Sequence, residues 1–178
     1  MSYAAGVLVL AWHNGHLLCL LGKDHYNTYS DFGGKEETCD MHVHINTAAR
    51  EMYEETCGVV QDIGYIKENL KQCSSVEALS YTNKPYYMYI MFVNFDTTFS
   101  PKFSYAYNYI RHVPRMNKFT EKQSMSWFSF NDLCAGNVAL RNIFQRTLAK
   151  HKNSILRIAY NYLTTNCKYY NGRHRILQ

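Results

Sequence analysis

Residues 33–58 read GGKEETCDMHVHINTAAREMYEETCG: a glycine pair, an acidic loop, then charged residues at helical spacing. On a helix, Glu51 and Glu55 lie four residues apart and Glu51 and Glu54 three, so three carboxylates share one side. Like charges at that spacing cost about 0.2–0.5 kcal/mol per pair. Arg50 can pair with Glu54 four residues on, but one guanidinium cannot neutralise the group. Such a cluster calls for a cation, and hard carboxylate oxygens favour Mg²⁺ or Mn²⁺ over zinc. Ile45, Ala48, Ala49 and Met52 form an apolar stripe on the opposite face. The pattern therefore predicts a helix from about Ile45 or Asn46 that stops at Gly58, with its acidic face turned outward into a cleft.

The flanks read as a sheet. Ala4–Trp12 and His16–Leu21 are apolar runs around His13-Asn14-Gly15, and Asn-Gly is a strong antiparallel-hairpin signal. After a polar connection over Gly22–Asn27, Tyr29–Phe32 predicts a short strand feeding a Gly33-Gly34 turn, where glycine lets the backbone approach a ligand. Residues 35–44 are expected to be a loop, with Glu36, Glu37 and Asp40 as loop charges and Glu37 within reach of a metal. His42 and His44 read as surface residues of that loop, and Cys39 and Cys57 as ordinary thiols. Gly64–Gln72 predicts a short helix. Ser74–Tyr81 and Tyr86–Phe95 predict strands around Thr82-Asn83-Lys84-Pro85, and YYMYIMFVNF is strongly strand-like in composition. Asp96–Thr120 is a long insertion rich in aromatic and basic residues that can hold a helix. Its Tyr105, Tyr107 and Tyr109 would serve either packing or stacking on a base. SMSWFSF (124–130) is a last strand, and Ala139–Leu163 has helical periodicity with a break expected near Asn153-Ser154. The sum is one α+β domain over residues 1–178, with a basic helical segment at about 138–178.

Composition narrows the function. At 47% hydrophobic and 15% aromatic, the 178-residue chain is not a disordered one. Its six cysteines occur without a C-x-x-C pair, which is poor zinc spacing and argues against a disulfide framework. The first residues, MSYAAGVLVLAW, show no basic leader and too short an apolar run to cross a bilayer, so a cytoplasmic or nuclear protein with reduced thiols is expected. Acidic residues stop at Asp132. Before it, 11 basic against 14 acidic residues give −3; after it, eight basic residues stand against none, giving +8. An acidic centre beside a basic segment (Arg141, Arg146, Lys150, Lys152, Arg157, Lys168, Arg173, Arg175) suits a polyanionic substrate.

These residues resemble the Nudix hydrolase signature, G-xxxxx-E-xxxxxxx-R-E-U-x-E-E-x-G-U with U aliphatic. Gly34, Arg50, Glu51, Met52, Glu54, Glu55 and Gly58 carry the match. Tyr29-Ser30-Asp31-Phe32-Gly33-Gly34-Lys35 is similar to the W-S-D-F-G-G-K lead-in of some Nudix proteins, including ones from large DNA viruses; for such a protein the host cytoplasm is the expected location. Two departures stand out. Gly34 to Arg50 spans sixteen positions where the pattern spans fourteen, with Asp40 where a glutamate is usual, and Cys57 is an extra residue before Gly58.

The resemblance implies a Nudix-type α/β/α sandwich with a mixed sheet and a C-terminal helix. It implies hydrolysis of the diphosphate linkage of a nucleoside diphosphate derivative, using Mg²⁺ or Mn²⁺ and an activated water. Carried over by position, Glu51, Glu54 and Glu55 become metal ligands, joined by the Gly33 carbonyl and by Glu121. Arg50 orients the glutamates, and one of the glutamates or a loop carboxylate is the base. Lys35 and Glu37 are the candidate substrate-binding residues. The substrate stays open between a small nucleotide and capped RNA (mRNA decapping with release of 7-methyl-GDP), the latter with RNA contact along the basic segment. The competing reading is a Nudix-fold module that binds nucleotide or RNA, or regulates, without turnover.

Overall fold

The N-terminal apolar run forms β1 (Ala4–His13), and the Asn14-Gly15 turn returns it as β2 (His16–Asp24), with Leu10 opposite Cys19 and His13 opposite His16. Both turn residues have positive φ, 49° and 78°, as an Asn-Gly hairpin turn requires. The structure, a computed structural model, describes residues 2–80 and 82–173, with side chains through residue 165. Tyr81, at the end of an expected strand, and the expected cations Lys168, Arg173 and Arg175 lie outside the described side chains.

Beyond the hairpin the two strands diverge, and the next segment fills the gap. β3 (Tyr29–Ser30) pairs with β2 at Gly22 and Lys23, while β4 (Phe32–Lys35) pairs with the start of β1, Gly33 opposite Gly6. The glycine pair is thus part of a strand and not the turn expected from the sequence. Neither glycine has positive φ, so what the site uses is their missing side chains. A Cβ on Gly33 would sit 2.7 Å from the Gly6 Cα, and one on Gly34 would sit 2.5 Å from the Glu51 carboxylate.

A short 3-10 turn (Thr38–Asp40) leads into α1 (His44–Glu55), then α2 (Ile63–Leu70), β5 (Ser75–Leu79) and β6 (Pro85–Phe92). The insertion folds as α3 (Phe99–Ile110) with a 3-10 turn (Asn117–Thr120). It is followed by β7 (Lys122–Ser129), α4 (Phe130–Ala135) and α5 (Asn142–Arg173). β6 lies parallel to β1; the other pairings, β5 on β6, β7 on β2 and those above, are antiparallel. The sheet is mixed.

Alternation along β1 assigns the layers. Ala5, Val7 and Val9 join Leu20, Phe32 and Met91 against Ala48, Ala49 and Met52 of α1, Ile66 of α2 and Phe103 of α3. Leu8 and Leu10 join Cys19, Leu21, Met88 and Ile90 against Phe130 of α4 and Phe144, Leu148 and Ile155 of α5. A strand buried on both faces has to read as an unbroken apolar run, which is what Ala4–Ala11 is. α5 continues through Asn153-Ser154 without the expected break, because Phe144, Leu148, Ile155 and Ala159 keep one buried face and Trp12 donates its indole N–H to the Ala159 carbonyl at 3.1 Å. In the insertion, Phe99 and Phe103 are buried and Tyr107 packs against the core, while Tyr105 and Tyr109 face solvent. Among the described residues, no helix is long and apolar enough to cross a membrane.

Candidate active site

Arg50 organises the acidic helix. Its guanidinium donates from Nε to Asp40 Oδ1 and from Nη2 to Asp40 Oδ2, both at 3.0 Å, and from Nη2 to the Lys35 carbonyl at 2.8 Å. Nη1 donates to Glu54 Oε2 at 3.0 Å and lies 2.9 Å from Glu51 Oε1 and 3.6 Å from Glu37 Oε1. The expected Arg50–Glu54 pair is therefore present as one contact among several.

Asp40, expected to be a loop charge, is buried. Besides Arg50 it accepts the Glu37 backbone N–H at 2.8 Å and the Thr47 hydroxyl at 3.0 Å. Burial alone would raise its pKa, but the Arg50 guanidinium and these donors hold the carboxyl below its ordinary value. Met41 and His42 follow it at positive φ, and Asn46 donates to the Asp40 carbonyl at 3.1 Å. The two extra positions of the loop are thus folded around a buried carboxylate that holds Arg50 in place. His42, exposed, pairs with Glu36, and His44 stacks on Tyr87 at 4.0 Å.

Glu51 and Glu55 are buried, not turned outward as their spacing suggested. Glu55 Oε2 accepts the Gly33 N–H at 2.8 Å, and Oε1 lies 3.4 Å from Lys122 Nζ. In an extended residue the N–H and C=O point to the same edge, so the Gly33 carbonyl also faces the helix rather than β1. Burial pushes the Glu51 carboxyl up to about 8, with the Glu55 charge adding to it and Arg50 opposing. Burial likewise pushes Glu55 up to about 7, against the pull of Lys122. Two buried carboxylates that resist ionising form a site that an added cation would relieve.

Glu51 lines a cleft of about 380 Å³ together with Gly33, Gly34, Lys35, Glu37 and Glu121, and Glu55 lies behind it, bonded to Gly33. Glu121 is exposed on the rim, and its charge acts on Glu55. Lys118, from the insertion, reaches across to Glu37, with Nζ 2.6 Å from both carboxylate oxygens. Cys57, the extra residue at the helix end, takes φ of 52° and directs its thiol at the Phe119 carbonyl, 3.3 Å away.

Two further candidates, Tyr86 and Lys122, escape a reading of the sequence alone, and two residues that it names only as members of a motif or a charged segment, Asp31 and Arg141, take definite places. The Tyr86 hydroxyl donates to Asp31 Oδ2 at 2.5 Å inside the cleft. Burial raises the Asp31 carboxyl above its ordinary value in spite of that bond. Lys122 is buried and donates to the Ser30 hydroxyl at 2.7 Å. Arg141 lines the far wall of the cleft, the one cation of the basic segment that does so among the described residues. For Lys122 a signal exists: it stands beside Glu121 where β7 begins.

Known structures share this architecture. A Caenorhabditis elegans Ap4A hydrolase in a binary complex superposes with a TM-score of 0.53 at 17% identity, covering 93% of this chain and 99% of that one. The NUDIX domain of Shewanella oneidensis NrtR, complexed with ADP ribose, gives 0.56 at 9% identity, covering 86% and 87%. A mutT/nudix family protein from Listeria innocua gives 0.51 at 14% identity, covering 92% and 97%. The chain has the Nudix fold. Sequence comparison alone does not reach it: no protein-family model and no curated protein matches. In this Nudix fold, α1 with β4 and its glycine pair carries the acidic site, and α5 closes the opposite face of the sheet.

The donor set suits a hard cation. The carboxylates of α1 and Glu121, with the Gly33 carbonyl, offer only oxygen, and the missing Cβ of Gly34 leaves the Glu51 carboxylate room beside the strand. Among the described residues, no three His, Cys, Asp or Glu side chains already surround one point, since Glu51 and Glu54 both lean on Arg50.

Proposed function

We propose that the chain is a divalent-metal-dependent pyrophosphohydrolase of the Nudix type. It cleaves the diphosphate linkage of a nucleoside diphosphate derivative, either a small nucleotide or a capped RNA with release of 7-methyl-GDP. The observation that carries this reading is the pair of buried carboxylates, Glu51 and Glu55, set against the glycine strand, with Glu51 lining a cleft beside it. The structural neighbours include an Ap4A hydrolase and a complex with ADP ribose, which makes those two nucleotides the first small substrates to try.

Glu51, Glu54 and Glu55, with the Gly33 carbonyl and Glu121, would hold Mg²⁺ or Mn²⁺. When bound, the metal would neutralise phosphate charge and lower the pKa of a water. Arg50, fixed by Asp40, orients Glu51 and Glu54 and takes no part in the bond changes. One of these glutamates, or a carboxylate of the loop, would accept a proton from the attacking water; the exposed Glu121 is the one of them that solvent reaches most freely. That water's oxygen bonds to one phosphorus, the bridging P–O bond breaks, and the bridging oxygen leaves with the other phosphate. Lys35 lines the cleft and Glu37 is held at its mouth by Lys118, positions suited to contacting the substrate.

A second reading, a nucleotide- or RNA-binding module without turnover, is favoured by one observation. Arg50 Nη1 already engages Glu51 and Glu54 at 2.9 and 3.0 Å. Incubating the protein with ADP-ribose, diadenosine polyphosphates, nucleoside triphosphates and cap-labelled RNA, with Mg²⁺ or Mn²⁺, separates the two. Metal-dependent product that disappears in Glu54→Gln and Glu55→Gln supports the enzyme. Tight binding without product from any substrate supports the module.

A further inference from the structure

The acidic cleft does not end at Lys35. It opens into a second groove of about 430 Å³ that shares Ala4, Lys35, Ser80 and Arg141 with it and continues to Lys84 and Thr82. The two halves are opposite in charge. Among the described residues no acidic side chain lines the second groove, whereas three cations do: Lys35, Lys84 and Arg141. None of the three forms an ion pair with a carboxylate among the described residues, unlike Arg50, Lys118 and Lys122 nearby.

The cations come from three separate parts of the fold, and each is anchored. Lys35 closes β4. Lys84 sits in the β5–β6 turn, where its N–H is donated to the Ser80 hydroxyl at 3.1 Å, its carbonyl accepts the Ser80 N–H at 2.8 Å, and its ammonium donates to the Ser2 hydroxyl at 2.8 Å. Arg141 is fixed through its backbone, donating its N–H to the Tyr29 carbonyl at 2.9 Å at the start of α5. Arg141 is near enough to Asp31 for its charge to act on that carboxyl, but three cations lining one groove with no ion pair among the described residues, flanked by hydroxyls and continuous with the cleft, suit a further anion.

We propose that this groove binds a phosphate-bearing arm of the substrate extending beyond the diphosphate that is cleaved, with Lys35, Lys84 and Arg141 as its cationic contacts. This rests on the hydrolase reading for the position of the cleaved bond. The arm's chemistry is a phosphate or phosphodiester, supplied either by the first nucleotides of an RNA or by the far end of a dinucleoside polyphosphate. Arg146 and Lys150, expected to contact RNA, line neither part of this cleft.

Lys84→Glu is the informative variant, because the residue lies on an exposed turn and touches only the second groove. Lys71→Glu, on the surface at the end of α2 and paired with Glu68, controls for net charge. Binding is read without turnover, in EDTA, on the otherwise full-length Glu51→Gln protein. The probes are a fluorescent 5′-triphosphorylated RNA decamer and a labelled diadenosine tetraphosphate, followed by anisotropy across salt concentrations.

Lys84→Glu should weaken at least one probe five-fold or more while Lys71→Glu leaves it unchanged. If the RNA is the one affected, its salt slope should fall by about 0.7 for each phosphate that the protein no longer neutralises. With active protein, KM for the affected substrate should rise by a similar factor, and hydrolysis of ADP-ribose, which has no such arm, should not change. Equal binding by the Lys84→Glu and Lys71→Glu proteins for both probes would overturn the groove assignment whatever the activity. Loss of binding confined to Lys84→Glu, with no hydrolysis of any substrate, would sustain the groove and sink the hydrolase.

Discussion

Replacing Glu51 with Gln should stabilise the metal-free protein in alkaline solution and abolish its activity. The folded state raises the Glu51 carboxyl from an ordinary 4.5 to about 8, chiefly through burial. A raised acid value means that the native state keeps its proton longer than the unfolded chain. Its contribution to stability is therefore full below about pH 4.5 and is lost as pH rises through about 8. At about 1.36 kcal/mol per pH unit, the part of this loss between pH 6 and 8.5 is roughly 2–3 kcal/mol. The Gln side chain cannot ionise, and Arg50 keeps Asp40 and Glu54 as partners. Urea unfolding in EDTA at several pH values gives the difference between the two profiles, which cancels any fixed cost of the amide. The variant should gain on the wild type by that amount between pH 6 and 8.5, while turnover with Mg²⁺ falls at least about 100-fold. Parallel profiles, or a variant that loses ground as pH rises, would refute the claim that Glu51 is a buried carboxylate under electrostatic stress.

The same logic gives the sign for metal removal: Mg²⁺ should raise the melting temperature of the wild type more at pH 8.5 than at pH 6, and raise that of Glu51→Gln little. Asp40→Ala should cost about 3–5 kcal/mol in urea unfolding, because it leaves the Arg50 guanidinium short of its bidentate partner in a buried site. The exposed Lys71→Ala should cost under about 0.5 kcal/mol. Gly34→Ala places a methyl 2.5 Å from the Glu51 carboxylate and should keep the circular-dichroism spectrum while lowering metal-dependent turnover by about 10-fold or more. Tyr86→Phe removes the only side-chain hydrogen-bond donor to the buried Asp31 carboxyl among the described residues and should cost about 1–3 kcal/mol of stability.

What can be read from the chain alone is what spacing encodes. Arg50 through Glu55 is a local pattern, and so is the Asn14-Gly15 hairpin; each survives translation into coordinates because neighbours in sequence are neighbours on a helix or in a turn. Burial is a different property. Whether Asp40 is a solvated loop charge or a buried anchor depends on Thr47 and Arg50 folding back onto it. Whether Lys122 is a surface lysine or a buried counter-ion depends on Ser30, 92 residues away. Asp31 is visible as part of a motif, but its partner Tyr86 is 55 residues on. The glycine pair misleads for a related reason. A Gly-Gly in sequence suggests a turn because glycine tolerates positive φ, whereas here the pair is selected by crowding against Gly6, Tyr86 and Glu51, which only the sheet supplies.

That crowding explains why the acidic helix and the glycine strand belong to one device. α1 holds three carboxylates on one face, but two of them are stable as anions only where something positive lies opposite. Side chains on β4 would have filled that space. Glycines leave it open and present backbone instead: the Gly33 N–H holds Glu55 in place, and the Gly33 carbonyl faces the same side as a further oxygen. Lys122 supplies a fixed positive charge, but to Glu55 alone of the three and from 3.4 Å, and Arg50 divides its guanidinium among Asp40, the Lys35 carbonyl, Glu51 and Glu54. The protein's own cations therefore position the carboxylates without discharging them, and on the proposed reading the remaining imbalance would favour a divalent ion.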